Sequence, residues 1–399
     1  VTNGSGQLAT AAPDGRRSWV VAVAGAIGMV FTFGTPLSYG VFRDPVSVAF
    51  GIEPVALSTV FSAMLFTFFI GSGAMGVVAA RLPARGVLLG CAAVSGLLAP
   101  SLFVVDSYLG LLVVFAAMGL AGGTAFVLIA SIVPRWFEEH RGAATGLIFV
   151  GNGLGLTVLP PLWEHAFSTV GVRRGFLSIL AATAVGFGIT GAVCRRPDWA
   201  ETSTATLAEL AEWVRELAGN RTFQLLFAGI GLSFAWYQLL AAYAIDLFAA
   251  RGLAGATASA AFGLIGGVSI ASRIGGGYVA DRIGSRLAFL SSLSCVIGGL
   301  ASLLVPSIPS LAVGIALIGL GLGGCATLYV PLLMAVYSPE KDTAIIGVFN
   351  VPPGIGALAM PPVGTALITY TEGYAAAIAL TLSLAVLALW VIAAGTADE

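Results

Sequence analysis

"SIASRIGGGYVADRIGSR", residues 269–286, holds the feature on which the fold turns. Its first half is apolar or small except for Arg273, and its second half closes on Asp281, Arg282, Gly284 and Arg286. Long apolar runs lie on both sides. A helix that passes through one arginine and stops at a charged turn eight residues later has the form of a membrane span meeting water. The composition supports that form across the chain. The 399 residues are 58% hydrophobic and 9% charged, against about 25% charged in an ordinary soluble domain. Too little charge is present to cover a soluble surface of this size, so the chain reads as a polytopic membrane protein.

The net charge of −1 gives no bulk field for nucleic acid. Cys91, Cys194, Cys295 and Cys325 form no CxxC pair, and His140 and His165 fall in different loops, so no disulfide framework and no metal site is expected. No cofactor and no catalytic residue is expected either, because no His, Asp or Glu lies at depth in an apolar run. Gly-rich stretches such as 319–324 lie mid-span, with no strand and no P-loop lysine. They read as sites of close helix approach.

A span needs about 20 mostly apolar residues. Such runs occur near 18–42, 54–79, 86–105, 108–134, 142–166, 174–194, 222–248, 256–279, 286–305, 309–336, 343–368 and 373–395. The organisation expected is a disordered tail at 1–17, a six-helix bundle at 18–194, a linker at 195–221 and a second bundle at 222–396. Within the linker, Leu207, Leu210, Ala211, Val214 and Leu217 follow helical spacing, which predicts a short amphipathic helix on the membrane surface. Thirteen basic residues fall on the side of the N-terminus and four on the other, with Arg273 between. That bias puts both termini in the cytoplasm.

The halves repeat. A shift of 201 brings Gly122-Gly123 onto Gly323-Gly324, Gly153 onto Gly354, Pro160-Pro161 onto Pro361-Pro362, and "AARLPAR" (79–85) onto "ADRIGSR" (280–286). Repeated halves place a substrate site between them, near the midplane. The prolines at 159–161 and 352–356 predict breaks or kinks in spans 5 and 11.

Twelve spans, a central linker and "GGYVADRIGSR" after span 8 resemble the major facilitator superfamily, whose loop signature after spans 2 and 8 is matched by Gly277, Asp281, Arg282, Gly284 and Arg286. Of the first copy, Gly76, Arg81 and Arg85 remain. A narrower likeness is to the monocarboxylate transporters and the oxalate–formate antiporters. It is carried by 13–42 (Asp14, Gly15, Trp19), by "RWFEEHRGAATGLIFVGNGLG" at 135–155 (Phe137, Arg141, Ala144, Gly146), and by Arg273, which falls where that group keeps a carboxylate-binding arginine. Three departures accompany it. The group's span 1 lysine falls at Leu37, the acid one turn before its arginine falls at Ser269, and the antiporters' span 11 lysine has no counterpart in 343–368. The resemblance implies an all-α fold of two pseudo-symmetric six-helix bundles, and a secondary active transporter working by alternating access in the plasma membrane. The cargo implied is a small monocarboxylate, moved by proton symport. A carboxylate antiporter and an organic-solute or drug exporter are the alternatives.

The residues support an anionic cargo independently. Arg273 lies roughly 12 Å from the charged turn, near the middle of a ~30 Å core. Insertion of a guanidinium there costs about 2.5–3.5 kcal/mol. No acid at that depth is available to pair with it. The bland reading is a helix-end arginine on a misplaced span; the functional one is a fork for a carboxylate. One fixed cation favours a monoanion. Nitrate carriers of the superfamily use arginines on spans 2 and 8, whereas the 201 shift takes Arg273 to Ser72. Asn152 and Asn350 sit at similar depth and are read equally as helix-packing or cargo contacts. Tyr237 and Tyr329 are the expected hydroxyl donors. Asp281, Arg282, Arg286, Arg81 and Arg85 are either solvated turns or a conformational latch. Asp246 and Glu164 read as solvated helix-end acids and as the default coupling acids. One chain supplies both halves, so a monomer with a lipid bilayer, a small carboxylate and H+ as partners is expected.

Overall fold

The computed structural model describes residues 13–78, 82–197, 207–337 and 342–397. Arg81, Lys341, residues 1–12 of the expected tail and residues 198–206 of the linker lie outside them. Among the described residues, all regular structure is helical and twelve segments are long and apolar enough to cross a membrane. The solvent dictates this: hydrocarbon offers no partner to a backbone N–H or C=O, so each spanning segment must satisfy its own.

Span 1 comprises α1 (Arg16–Gly34) and α2 (Tyr39–Phe50). Spans 2 to 6 are α3 (Pro54–Val78), α4 (Ala84–Leu98), α5 (Tyr108–Ile132), α6 (Arg141–Val170) and α7 (Val172–Val193). The linker holds α8 (Leu207–Ala218), where the apolar spacing placed a helix. Spans 7 to 10 are α9 (Arg221–Ala250), α10 (Gly255–Ile283), α11 (Ser285–Ser302) and α12 (Ile308–Val336). Span 11 comprises α13 (Asp342–Phe349) and α14 (Val351–Thr371), and span 12 is α15 (Ala375–Gly395). An even number of crossings leaves both chain ends on one face, here the terminal face; the other is the far face.

Within the first bundle α1 packs on α6, α3 on α5, and α4 on α7. The second repeats the scheme with α9 on α14, α10 on α12, and α11 on α15. The bundles meet along two crossings, α6 with α10 and α3 with α14, and at the far face where α2 meets α9. Leu97, Val185 and Trp390 stand exposed on the outer helices, as side chains facing lipid should. Trp136, Trp163, Trp236, Phe61 and Phe68 fill the interior.

The repeat is visible in contacts. Gly153 of α6 abuts Ile270 of α10, and the 201 shift turns that pair into Gly354 of α14 against Phe69 of α3. Spans 4 and 10 follow a shift of 200 instead. Ser107 caps α5 and Ser307 caps α12, each accepting an N–H three residues on. Gly123 presses on the Phe68 carbonyl and Gly323 on the Ser269 carbonyl. The pairing of Gly122-Gly123 with Gly323-Gly324 is therefore corrected by one residue.

The expected breaks are met in span 11 and not in span 5, and span 1 and the end of the tail depart from expectation. Span 5 is not broken: α6 runs as one 30-residue helix through Pro160 and Pro161. The Thr157 carbonyl, which Pro161 cannot serve, lies against the Cβ-free face of Gly263 in α10, a close contact that shields it from lipid. Span 11 does break, at Asn350, and Pro352 and Pro353 then fall in the first turn of α14, where a missing N–H removes no helix bond. Span 1 also breaks, by a tight turn at Pro36–Ser38. The residues at 13–17 are ordered, with α1 beginning at Arg16.

Candidate functional site

Arg273 sits on the side of α10 that faces the seam between bundles. Gly263, Gly266 and Ile270 meet α6, Ile265 and Val268 meet α12, and Leu264, Ile274 and Tyr278 face outward. Arg273 lies opposite that outward face and is 4% exposed. Its Nε–H donates to Ser269 Oγ at 3.3 Å, and its guanidinium lies 5.8 Å from the ring centre of Phe149 on α6. Tyr237 of α9 is near enough to interact with it electrostatically. Among the described residues no ion pair involves Arg273. A hydroxyl and a ring face soften the cost of burying the charge, but effective desolvation costs several kcal/mol per ion, and a desolvated cation–π contact returns about 2.

Asn152 faces the same seam. On α6, Gly151 and Gly155 abut α1, while Phe149, Gly153 and Leu156 meet α10. Asn152 falls between these two stripes. It is 1% exposed and its Nδ2 has no hydrogen-bond partner among the described residues. That leaves its amide N–H groups free of a protein acceptor among the described residues.

Asn350 has a partner. Its Nδ2 donates to Ser72 Oγ at 2.8 Å, linking the break of span 11 to α3 across the bundles. The 201 shift relates this pair to Phe149 and Arg273. One pseudo-symmetric crossing thus carries a buried cation and the other a neutral hydrogen bond. Tyr237 stacks near Phe262, with ring centres 6.5 Å apart, and Tyr329 of α12 meets Phe234 edge-on at 5.7 Å. Both hydroxyls are buried in the second bundle, and of the two only Tyr237 is brought to Arg273.

The two acids are not freely solvated helix ends. Asp246 pairs with Arg43 of α2, Oδ2 to Nη1 2.5 Å, and Arg43 also donates from Nε to Asp44 at 2.9 Å. Glu164 is partly buried, with its carboxylate near Gly255 at the start of α10. Arg85 is exposed. Arg286 donates to Thr396 Oγ1 at 2.9 Å and to the Ala393 carbonyl at 3.3 Å, and Arg282 contacts the Tyr278 ring. These bonds of Arg282 and Arg286 stay within the second bundle.

Three further residues make contacts that the sequence expectations did not describe. Phe149 is one apolar residue among many. Gln238 donates from Nε2 to the Pro353 carbonyl at 3.0 Å beside the span 11 break, while its Oε1 has no partner. Arg43 was counted only as a loop charge, although an Arg-Asp pair at a helix end was the available signal.

The stretches 13–42 and 135–155 join at the terminal face. Asp14 accepts the N–H groups of Glu138 at 2.8 Å, Glu139 at 3.0 Å and His140 at 3.1 Å, and Trp19 meets Phe137 edge-on at 5.0 Å. Desolvation opposes ionisation of Asp14, but these donors and the His140 ring together hold its carboxyl down at about 2. A lowered carboxyl stabilises the fold fully above the ordinary range near pH ~4, and that stabilisation is lost as pH falls through the lowered value. Asp14→Ala is expected to melt at lower temperature than the parent at pH 7 with the gap closing toward pH 2, as read by circular dichroism. An equal gap at every pH would contradict this.

The Major Facilitator Superfamily profile matches residues 19–351. Monocarboxylate transporter 2 of Mesocricetus auratus is 24% identical over 398 residues, covering 91% of this chain and 80% of that protein. Monocarboxylate transporter 2 of Homo sapiens is 23% identical over 399 residues, with 91% and 82% covered. Among solved structures, the D-xylose-proton symporter superposes with a TM-score of 0.69 at 16% identity, over 94% of this chain and 96% of that one. A bacterial homolog of the human lysosomal transporter Spinster, solved inward-facing and unoccupied, gives 0.68 at 16%, over 95% and 96%.

Proposed function

This chain belongs to the Major Facilitator Superfamily, whose fold and membership are those of transporters rather than enzymes, and we propose that its cargo is a small monocarboxylate anion of the lactate, pyruvate or acetate kind. The observation that carries the reading is Arg273, a buried cation without a carboxylate partner among the described residues, facing the seam between bundles. The names of the curated relatives support the same cargo class.

The chemistry of the site supports a single negative charge. Arg273 offers one planar fork, and the symmetry-related crossing offers Ser72 and Asn350, which are neutral and bonded to each other. A dianion in this seam keeps one charge uncompensated in low dielectric. In this account Asn152 and Tyr237 supply hydrogen bonds to the carboxylate, and the apolar walls accept a short chain.

The terminal face is cytoplasmic in this proposal, following the basic residues, and the membrane is the plasma membrane. Transport proceeds by alternating access in a monomer, since one chain supplies both bundles. Symport with a proton keeps the movement of a monoanion electroneutral. Asp246 and Glu164 are the candidate coupling acids of this account, and Asp281, Arg282, Arg286, Arg81 and Arg85 its candidate latch at the cytoplasmic face.

Uptake of labelled lactate, pyruvate, acetate and oxalate into proteoliposomes tests the proposal. Saturable uptake of monocarboxylates, accelerated by an imposed inward proton gradient and not competed by oxalate, is the expected result. Uptake that requires a carboxylate preloaded inside and ignores the gradient would replace symport by antiport. No uptake of any carboxylate by folded protein would refute the cargo class.

A further inference from the structure

We propose that Arg43 and Asp246 form the gate of the far face, an ion pair between the bundles that must open in each transport cycle. Arg43 lies in the first half of α2 of the first bundle, and Asp246 lies near the end of α9 in the second. The side chains are 14% and 21% exposed, so the pair is largely dry when closed. Arg43 is held by Asp44 on its own helix, which leaves its other donors aimed across the seam.

The layer beneath the pair has the character of a surface that separates. Gly40 packs on Ala241 and Ile245 across the bundles. Tyr39 stacks on Phe61 at 4.1 Å, yet its hydroxyl is buried with no hydrogen-bond partner among the described residues. A polar group sealed in this way loses its water when the seam closes and regains it when the seam opens. Such groups strain the closed state slightly and favour release.

Charge at the lip suits a reversible closure better than an apolar plug. Parting an apolar contact exposes surface to water with no return, whereas parted Arg43 and Asp246 both recover hydration. The same pair is therefore stable dry and closed or wet and open, which is the bistability that alternating access needs. The charged and titratable groups facing it are Asp44, Tyr39 and Tyr374. Arg43 and Asp246 act here on the equilibrium between states and do not touch the cargo.

The gate is independent of which cargo is carried, and its test uses none. Ala241→Cys places a thiol at a position that is 0% exposed behind the pair. Its reaction with a hydrophilic maleimide is followed in purified protein, with the unsubstituted parent giving the background from the native cysteines. Slow labelling is expected in the otherwise unchanged chain. Arg43→Ala or Asp246→Asn is expected to raise the rate about tenfold as the open state gains population. The double exchange Arg43→Asp with Asp246→Arg is expected to restore protection, and its folding is checked by a monodisperse size-exclusion profile. The proposal is overturned if the single variants label no faster than the parent, or if the folded double exchange labels as fast as the singles. If the singles do not fold, Arg43→Lys, which keeps the pair, is expected to stay protected and Arg43→Gln to label fast; equal rates overturn it.

Discussion

Arg273→Ala is expected to abolish saturable uptake, and Arg273→Lys to retain a small part of it. The alanine variant removes a buried cation at the seam that has no carboxylate partner among the described residues. A carboxylate entering that seam then has only neutral donors, Asn152 and Tyr237, to replace its water. Truncating one member of a buried charge pair costs about 2–5 kcal/mol, which is a loss of roughly 30-fold to several thousand-fold at 1.4 kcal/mol per decade. Lysine keeps the charge but lacks the planar fork and the fit over the Phe149 ring. Its rate should fall at the lower end of that range. The protein itself should not suffer. Arg273 pairs with no acid among the described residues, so its removal relieves a desolvated charge, and Arg273→Ala should melt no lower than the parent. Activity lost together with stability would mark Arg273 as structural. Activity lost with stability kept or raised marks it as a ligand.

Gly323→Leu is expected to prevent folding, and Gly123→Leu to do so equally. A Cβ at either position falls inside the van der Waals envelope of a backbone oxygen, that of Ser269 or of Phe68. The obstacle is main chain, so no rotamer change relieves it. Overpacking costs about 1–3 kcal/mol when side chains can move; against a fixed carbonyl, more than about 4 is expected. At 323 the damage also reaches the site, because Ser269 and Ser272 flank the turn that bears Arg273. Gly275→Ala provides the contrast. It lies in α10, the helix against which Gly323 packs, but nothing stands within 4 Å of its added Cβ, so higher helix propensity should make it neutral or stabilising by about 0.5–1 kcal/mol. Thermal melts and size-exclusion profiles of the three variants separate the cases. Folded Gly323→Leu with failing Gly275→Ala would reverse the packing account.

Most of the architecture was readable because the membrane leaves little choice. Hydrocarbon enforces helices of a known length, so twelve apolar runs became twelve spans. The internal shift of 201 then told which crossings should correspond, and the contacts of Gly153 and Gly354 follow it. What escaped was decided by tertiary contact. A double proline announces a break only where its freed carbonyls lack shelter, and in α6 the Thr157 carbonyl rests against Gly263, so the helix continues. The break in span 1 came instead from Pro36 after Gly34 and Thr35, a pattern less conspicuous than a proline pair.

The site divided in the same way. Arg273 was legible because an arginine at the midplane has no ordinary explanation. The fates of Asn152 and Asn350 were not, since sequence puts both at one depth and cannot say which meets a partner; the structure gives Asn350 to Ser72 and leaves Asn152 Nδ2 without a partner among the described residues. Asp246 was misjudged as solvated because its counter-charge, Arg43, lies about 200 residues away in the other bundle. Charge counting by loop discards such a pair, although it joins the two halves.

Ligand-dependent stabilisation of the purified protein tests the central claim most directly. The melting temperature is followed with increasing lactate, using chloride at matched ionic strength as reference and Arg273→Ala as comparison. A ligand at 100 times its dissociation constant stabilises the folded state by about 2.7 kcal/mol, which is easily read. The account predicts a saturable rise with lactate in the wild type, little rise with oxalate, and none with lactate in Arg273→Ala. A rise of equal size in folded Arg273→Ala would contradict the claim that this buried arginine is the cargo's counter-charge.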